Sequence, residues 1–278
     1  MLVKILAVLE SAATLLTVLC TELLHKGWNL LWIVPLTFAA WYLLINVLYV
    51  LILFIGTELT VKLDKEQETP SPLWSRVLET TAEYLCTYGR IRIHLTGMEK
   101  LPEGRFLMAC NHRSSFDPIV KIPIFKEYGL KYISKPSNFR IPVGGKLMHA
   151  YGCLSMNREN NREALKTVQR ASAMIDSDSA SVCIYPEGTR NTKDELLPFH
   201  AGSFKIAQRS KVPVVVTTVR GTDLVQKNFP FRHTDVYIDV TGVIDAEFAS
   251  THKTQETAEK AREMIQKKFN ELKESQNA

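Results

Sequence analysis

From Trp28 to Thr57 the chain has no charged residue. These 30 residues, WNLLWIVPLTFAAWYLLINVLYVLILFIGT, exceed the roughly 20 that cross a hydrocarbon core. The run is too long and begins too late for a cleaved signal peptide. A soluble core helix of that length would carry a polar face, so the missing charge indicates a membrane span. No two of the five cysteines, Cys20, Cys86, Cys110, Cys153 and Cys183, stand at C-x-x-C spacing. That argues against a zinc or thioredoxin-like site, and the cysteines read as small buried apolar residues in a reducing compartment, with no disulfide framework and no metal. No G-x-S-x-G elbow occurs, which removes the usual setting of a serine nucleophile. There is no groove-reading motif and no aromatic platform, so nucleic acid is not an expected partner. Internal repeats and low-complexity tracts are also missing, which speaks against a solenoid.

The first 24 residues are apolar but hold Lys4, Glu10 and Glu22. A carboxylate at mid-membrane is costly. This stretch is either a first span, closing a hairpin through His25-Lys26-Gly27, or a helix lying in the interface. Residues 1–57 carry Lys4 and Lys26 against Glu10 and Glu22, so the whole net charge of +5 falls on residues 58–278. Within 121–166, nine Lys or Arg face Glu127, Glu159 and Glu163. A basic region beside an anchor suits anionic headgroups or a phosphate-bearing substrate, while for most of these lysines a solvated surface is the simpler reading.

Residues 1–57 are thus read as a membrane anchor and 58–72, ending in DKEQETPSP, as a linker. A globular domain follows over 73–278. Leu73, Trp74, Val77, Leu78, Ala82 and Leu85 recur at helical spacing. Strand patterns then appear at 91–95, FLMAC (106–110), LKYIS (130–134), GCLSM (152–156), SVCIY (181–185), VPVVVTTV (212–219) and TDVYIDV (234–240). Helical stretches separate them at 118–128, 143–150, 160–175 and 200–210. The third has Leu165, Val168, Ser172 and Ile175 on one face. A last helix, 254–273, aligns Ala258, Ala261, Ile265, Phe269 and Leu272 to cap the domain. Helices interleaved with continuously apolar strands predict an α/β fold, a mostly parallel sheet sandwiched by helices.

Three of these strands end in chemistry-bearing residues. FLMAC leads into Asn111-His112-Arg113-Ser114-Ser115-Phe116-Asp117-Pro118. Ligands of open α/β sheets bind off the carboxyl ends of strands. Along one regular helix His112 and Asp117 would sit about 140° apart. They meet if His112 is on the loop and Asp117 starts a helix, and Pro118 suits a first helical position. The carboxylate then holds one imidazole nitrogen and leaves the other free to accept a proton. The plainer reading makes Asp117 a helix cap and His112 a loop residue. SVCIY ends in Pro186-Glu187-Gly188-Thr189-Arg190, where glycine permits close backbone approach and arginine can grip a phosphate. GCLSM ends in Asn157-Arg158.

NHRSSFD resembles the N-H-x-S-x-x-D block of the glycerolipid acyltransferases, which include glycerol-3-phosphate and 1-acylglycerol-3-phosphate acyltransferases. GCLSMNR, PEGTR and VPVVV resemble the second, third and fourth blocks, and LLPFHAGSFKIA (196–207) the stretch after the third. The blocks stand in family order and cover residues 86–245. Two departures are present: KPSN (135–138) where relatives often have Lys-x-Glu-Leu, and Thr217-Thr218 where a second proline is common.

The resemblance implies a glycerol-3-phosphate acyltransferase-like fold over 73–278 and direct acyl transfer from a thioester, acyl-CoA or acyl-carrier protein, with no cofactor and no metal. His112 would be the general base and Asp117 its orienting partner. Arg158, Gly188, Thr189 and Arg190 would bind the acceptor, and Glu187 would bind it or hold the loop. Backbone N–H groups at the start of the helix after His112 would be candidates for the oxyanion. The acceptor expected is 1-acylglycerol-3-phosphate (lysophosphatidate), giving phosphatidate, with membrane phospholipids around it; glycerol-3-phosphate or another lysophospholipid is the alternative. The resemblance and the unpaired cysteines place the domain on the cytoplasmic side of a bacterial inner membrane. Two other classes compete: a serine hydrolase using Ser114 or Ser115, and a lipid-binding protein that kept the fold without activity.

Overall fold

The computed structural model describes residues 2–20, 30–63, 70–193 and 195–277. In chain order the regular elements are α1 (Leu2–Cys20), α2 (Leu30–Thr60), α3 (Pro72–Tyr88), β1 (Ile91–Thr96), β2 (Leu107–Cys110), α4 (Phe116–Lys121), β3 (Lys131–Ser134), α5 (Gly144–Ala150) and β4 (Leu154–Ser155). They continue with α6 (Asn161–Asp176), β5 (Val182–Ile184), α7 (Lys205–Ser210), β6 (Val214–Arg220), α8 (Val225–Asn228), β7 (Thr234–Ile244), α9 (Ala246–Thr251) and α10 (Thr254–Asn277).

The strands form one seven-stranded sheet in the order β1-β7-β6-β2-β5-β3-β4. Every pairing is parallel except β6 with β7. Side chains alternate between the faces, as strand geometry requires. Leu107, Ala109, Val182, Ile184, Val214 and Val216 face Val168, Ala171 and Ile175 of α6, Ile206 of α7 and Ile265 and Phe269 of α10. Met108, Cys110, Cys183, Val215 and Ile238 face Ala82 and Cys86 of α3 and Val120 of α4. Both faces are covered, which explains the unbroken apolar runs in the central strands.

Several sequence expectations shift locally. The helix expected over 118–128 is the short α4, begun two residues earlier at Phe116, followed by a 3-10 turn at Lys126–Tyr128. Pro118 is therefore the third helical residue, where its missing N–H still costs no intrahelical bond. Leu165 is 49% exposed; the buried stripe of α6 runs through Thr167, Val168, Ala171, Ser172 and Ile175. Leu73 and Leu85 of α3 are exposed, and Tyr84 and Cys86 are buried in their place. α10 buries Ala258, Ala261, Ile265 and Phe269 as expected; the side chain of Leu272 lies outside the described residues. Of the basic residues in 121–166, Lys121 and Lys131 are buried, and Lys146 pairs with Glu58 at 2.7 Å.

Two helices, over Leu2–Leu19 and Trp32–Thr60, are long and apolar enough to cross a membrane. They run antiparallel: Trp41 Nε1 donates to Thr17 Oγ1 at 2.9 Å, and Asn46 Nδ2 to Glu10 Oε1 at 3.3 Å. The connection between them, including His25-Lys26-Gly27, lies outside the described residues. α2 continues three residues past the expected end of the anchor, to Thr60. α3 then packs back along it. Trp74 Nε1 donates to Thr60 Oγ1 at 3.1 Å, the Tyr49 and Thr81 hydroxyls meet at 2.7 Å, and Tyr88 lies on Tyr42 with ring centroids 5.8 Å apart. The Tyr84 hydroxyl donates to Asn46 Oδ1, so Glu10 is buried in a polar chain joining all three helices.

Candidate active site

β2, β4, β5 and β6 run in one direction, so the residues that follow them share one edge of the sheet. Asn111 extends β2 by one more rung. Its Nδ2 donates to Val219 O at 2.9 Å and its Oδ1 accepts from Val219 N–H at 2.8 Å, as a peptide group would. His112 follows immediately, its position fixed by that pairing.

His112 Nδ1 lies 2.6 Å from Asp117 Oδ2. Asp117, the second residue of α4, is fully buried. Its Oδ2 also accepts the backbone N–H groups of Arg113 at 2.8 Å and Ser114 at 3.0 Å, and its Oδ1 accepts the Thr222 hydroxyl at 2.5 Å. A carboxylate so supplied with donors is held as an acceptor toward the imidazole. His112 Nδ1 is thereby its N–H nitrogen, and Nε2 has no protein partner among the described residues. The Tyr185 ring stacks on His112 with centroids 4.3 Å apart. Burial pushes the Tyr185 phenol well above its ordinary range, so it remains a neutral plate against the imidazole.

Three N–H groups at the start of α4, where candidates for an oxyanion were expected, are engaged within the protein. Those of Arg113 and Ser114 are turned onto Asp117, and that of Phe116 onto Ser114 Oγ at 3.2 Å. Ser114 Oγ is thus engaged in the turn that leads into the helix. Ser115 is exposed and makes no cap bond. Neither serine has the hydrogen-bonded histidine that an acyl-enzyme nucleophile requires.

Glu187 lies inside the loop that follows β5. Its Oε1 accepts the His112 N–H at 3.0 Å, and its Oε2 accepts Asn191 Nδ2 at 3.0 Å and the Leu197 N–H at 3.2 Å. Asn191 N–H returns to His112 O at 2.7 Å. Of the two roles left open for Glu187, holding the loop fits this geometry: it is a 4% exposed carboxylate with both oxygens occupied. Gly188 has φ +74°, and a side chain there would begin 1.9 Å from Arg158 Nη1 and 2.9 Å from His200 Nε2. The guanidinium of Arg158 therefore lies directly over this glycine, which joins the loops after β4 and β5. Thr189 and Arg190 are exposed beyond it.

Several contributors escaped sequence reading. Thr222 follows β6 after Gly221, and only the sheet order brings it to Asp117. Arg113 pairs with Asp223 at 3.0 Å and donates to Thr192 O at 2.7 Å, so it is engaged in holding loops. His200 lies in the recognisable HAGSF stretch, but its approach to Gly188 depends on loop shape. Lys121 is wholly buried beneath the site, with Nζ 2.7 Å from Cys110 Sγ and 5.0 Å from the Tyr185 ring centroid.

Residues 92–220 match the Acyltransferase family model. The match takes in His112, Asp117, Arg158 and Glu187–Arg190. Among curated proteins, the chain is similar to the 1-acyl-sn-glycerol-3-phosphate acyltransferase of Saccharomyces cerevisiae, 29% identical over 62% of this chain and 58% of that protein. It is 34% identical to the chloroplastic 1-acyl-sn-glycerol-3-phosphate acyltransferase BAT2 of Brassica napus, over 49% of this chain and 39% of that one. The 1-acyl-sn-glycerol-3-phosphate acyltransferase of Borreliella burgdorferi is 28% identical over 66% of this chain and 74% of its own. This chain thus spans little more than half the length of the yeast relative. The crystal structure of the 1-acyl-sn-glycerophosphate acyltransferase PlsC from Thermotoga maritima superimposes with a TM-score of 0.57 at 20% identity, covering 72% of this chain and 79% of that one. That likeness concerns the fold.

Proposed function

We propose that this protein transfers a fatty acyl group from an acyl thioester to the free hydroxyl of 1-acylglycerol-3-phosphate, forming phosphatidate. The observation that carries the reading is the His112–Asp117 pair at the sheet edge, with imidazole Nε2 open and the Arg158–Gly188 contact on the same edge. His112 Nε2 takes the hydroxyl proton as the acceptor oxygen attacks the thioester carbonyl. The tetrahedral intermediate collapses, the C–S bond breaks, and the thiolate leaves with the proton held on Nε2. Asp117 keeps the imidazole oriented and stabilises the imidazolium between the two steps. Arg158 and Arg190 receive the acceptor phosphate, with Gly188 and Thr189 giving it room, and Glu187 holds the loop that bears His112.

The donor is acyl-CoA or acyl-carrier protein, and no cofactor or metal takes part in this reading. The N-terminal helices hold the domain at a membrane, on the cytoplasmic face, where acceptor and product reside. The named relatives favour this acceptor over glycerol-3-phosphate. The purified protein, given a panel of lysophospholipids and glycerol-3-phosphate with each donor and read by product mass, tests it. Phosphatidate formed from lysophosphatidate is expected; product from another acceptor alone would redirect the assignment.

A further inference from the structure

The segment from Leu224 to Thr234 contains no acidic residue. It presents Phe229 at 55% exposure and Phe231 at 86%, beside exposed Lys227, Arg232 and His233. Solvent-facing aromatics of this size, set among cations and clear of any core contact, mark an interaction surface. Topology gives its place. β6 runs parallel to β2 and ends at the catalytic edge; β7 runs antiparallel to β6 and begins there, with Arg220 opposite Tyr237. The 227–233 segment joins the two, so it lies on the same edge as His112. The Asp223–Arg113 ion pair ties the approach to this segment to the catalytic loop.

The segment also adjoins the apolar hairpin. Tyr88, at the end of α3, packs on Tyr42 of α2. Two residues later, Arg90 donates to Phe231 O at 3.1 Å and meets His233 Nε2 at 2.9 Å. A continuous strip thus runs from α2 through Tyr88 and Arg90 to the two phenylalanines.

We propose that residues 227–233 form a second membrane contact, in which Phe229 and Phe231 enter the headgroup region of an anionic bilayer and turn the catalytic edge toward it. Aromatic rings partition to that depth, and flanking Lys and Arg are attracted by anionic lipid. Continuity with the hairpin and two protruding aromatic rings favour lipid over an acidic carrier protein, which the cations alone would also suit. The contact does not depend on which acceptor the enzyme uses.

The test uses the full chain. In a C20S background, F231C carries an environment-sensitive fluorophore, and the protein is reconstituted into phosphatidylglycerol-containing vesicles with and without doxyl-labelled lipid. E103C, in the exposed loop before β2 at the opposite edge, is the reference. The probe at position 231 should be quenched several-fold more than the one at 103, and less so in K227E/R232E. This readout needs no turnover, so it stands or falls apart from the proposed reaction. The exposure of Phe231 removes the objection that its variants fail to fold. In addition, F229S/F231S should raise the KM for acceptor presented in vesicles several-fold, with the rate on a short-chain, monomeric acceptor unchanged. Equal quenching at positions 231 and 103 would overturn the proposal. So would a probe at 231 that responds to added acyl-carrier protein and not to quenching lipid.

Discussion

The hydroxyl of Thr222 donates to Oδ1 of Asp117 at 2.5 Å, across 105 residues of sequence. The bond joins the end of β6 to the start of α4 and satisfies the side of the carboxylate that faces away from His112. Replacing Thr222 with valine leaves a buried charged oxygen short of a donor, at a cost of about 1–3 kcal/mol. A kcat roughly tenfold or more lower, with KM little changed, is expected for T222V. T222S should restore most of the rate, because it restores the hydroxyl.

His112→Ala should abolish nearly all transfer while the circular dichroism spectrum and melting profile stay unchanged. Asp117→Asn is expected to lower kcat by on the order of 10³, since an amide cannot both accept from His112 and stabilise its cation. Retention of most of the activity in H112A would remove the general-base assignment.

Gly188→Ala tests the joint between the second and third loops. The backbone is left-handed at φ +74°, and a new Cβ would begin 1.9 Å from Arg158 Nη1. The left-handed strain alone costs about 1–2 kcal/mol, and the guanidinium must move. The KM for a phosphate-bearing acceptor should rise at least tenfold, with a smaller effect on an uncharged monoacylglycerol analogue. Parallel losses on both acceptors would separate Arg158 from phosphate binding.

Lys131 supplies a pH signature outside the site. Burial brings its pKa down from 10.5 to about 8, and Nζ lies 3.4 Å from the centre of the Tyr151 ring. Between pH 8 and 10.5 the unfolded chain binds this proton more tightly than the native one, so the native state gains stability as pH rises through that window. Below pH 8 the lysine is a net cost. K131M should melt higher than the parent at pH 7, and the difference should shrink toward pH 10.5, measured in detergent solution.

Much of the site was legible because parallel α/β sheets gather their loops at one edge, so His112, Arg158 and Glu187–Arg190 could be grouped from strand ends alone. The His112–Asp117 contact was one of two readings of the loop-to-helix break, and the helix begins at Phe116, so that Pro118 is its third residue and not its first. What local pattern could not supply was strand order. Thr222 reaches Asp117 only because β6 neighbours β2, and no spacing announces that. Nor could sequence show that the Arg113 and Ser114 N–H groups turn onto the carboxylate. The buried state of Lys121 and Lys131 was hidden for a related reason: charge counts treat lysines as surface, whereas these two lie under tyrosine rings in the helix-covered face.

The packing of α3 against the hairpin bears on how the protein can be handled. Tyr84 and Tyr88 are shared between the two parts, and Glu10 and Asn46 close the seam from the other side. Trimming the chain back to Pro72 would therefore not free a water-soluble catalyst. It would bare Tyr84 and widen the exposure of Tyr88, and the trimmed protein should aggregate unless detergent takes the place of the missing helices.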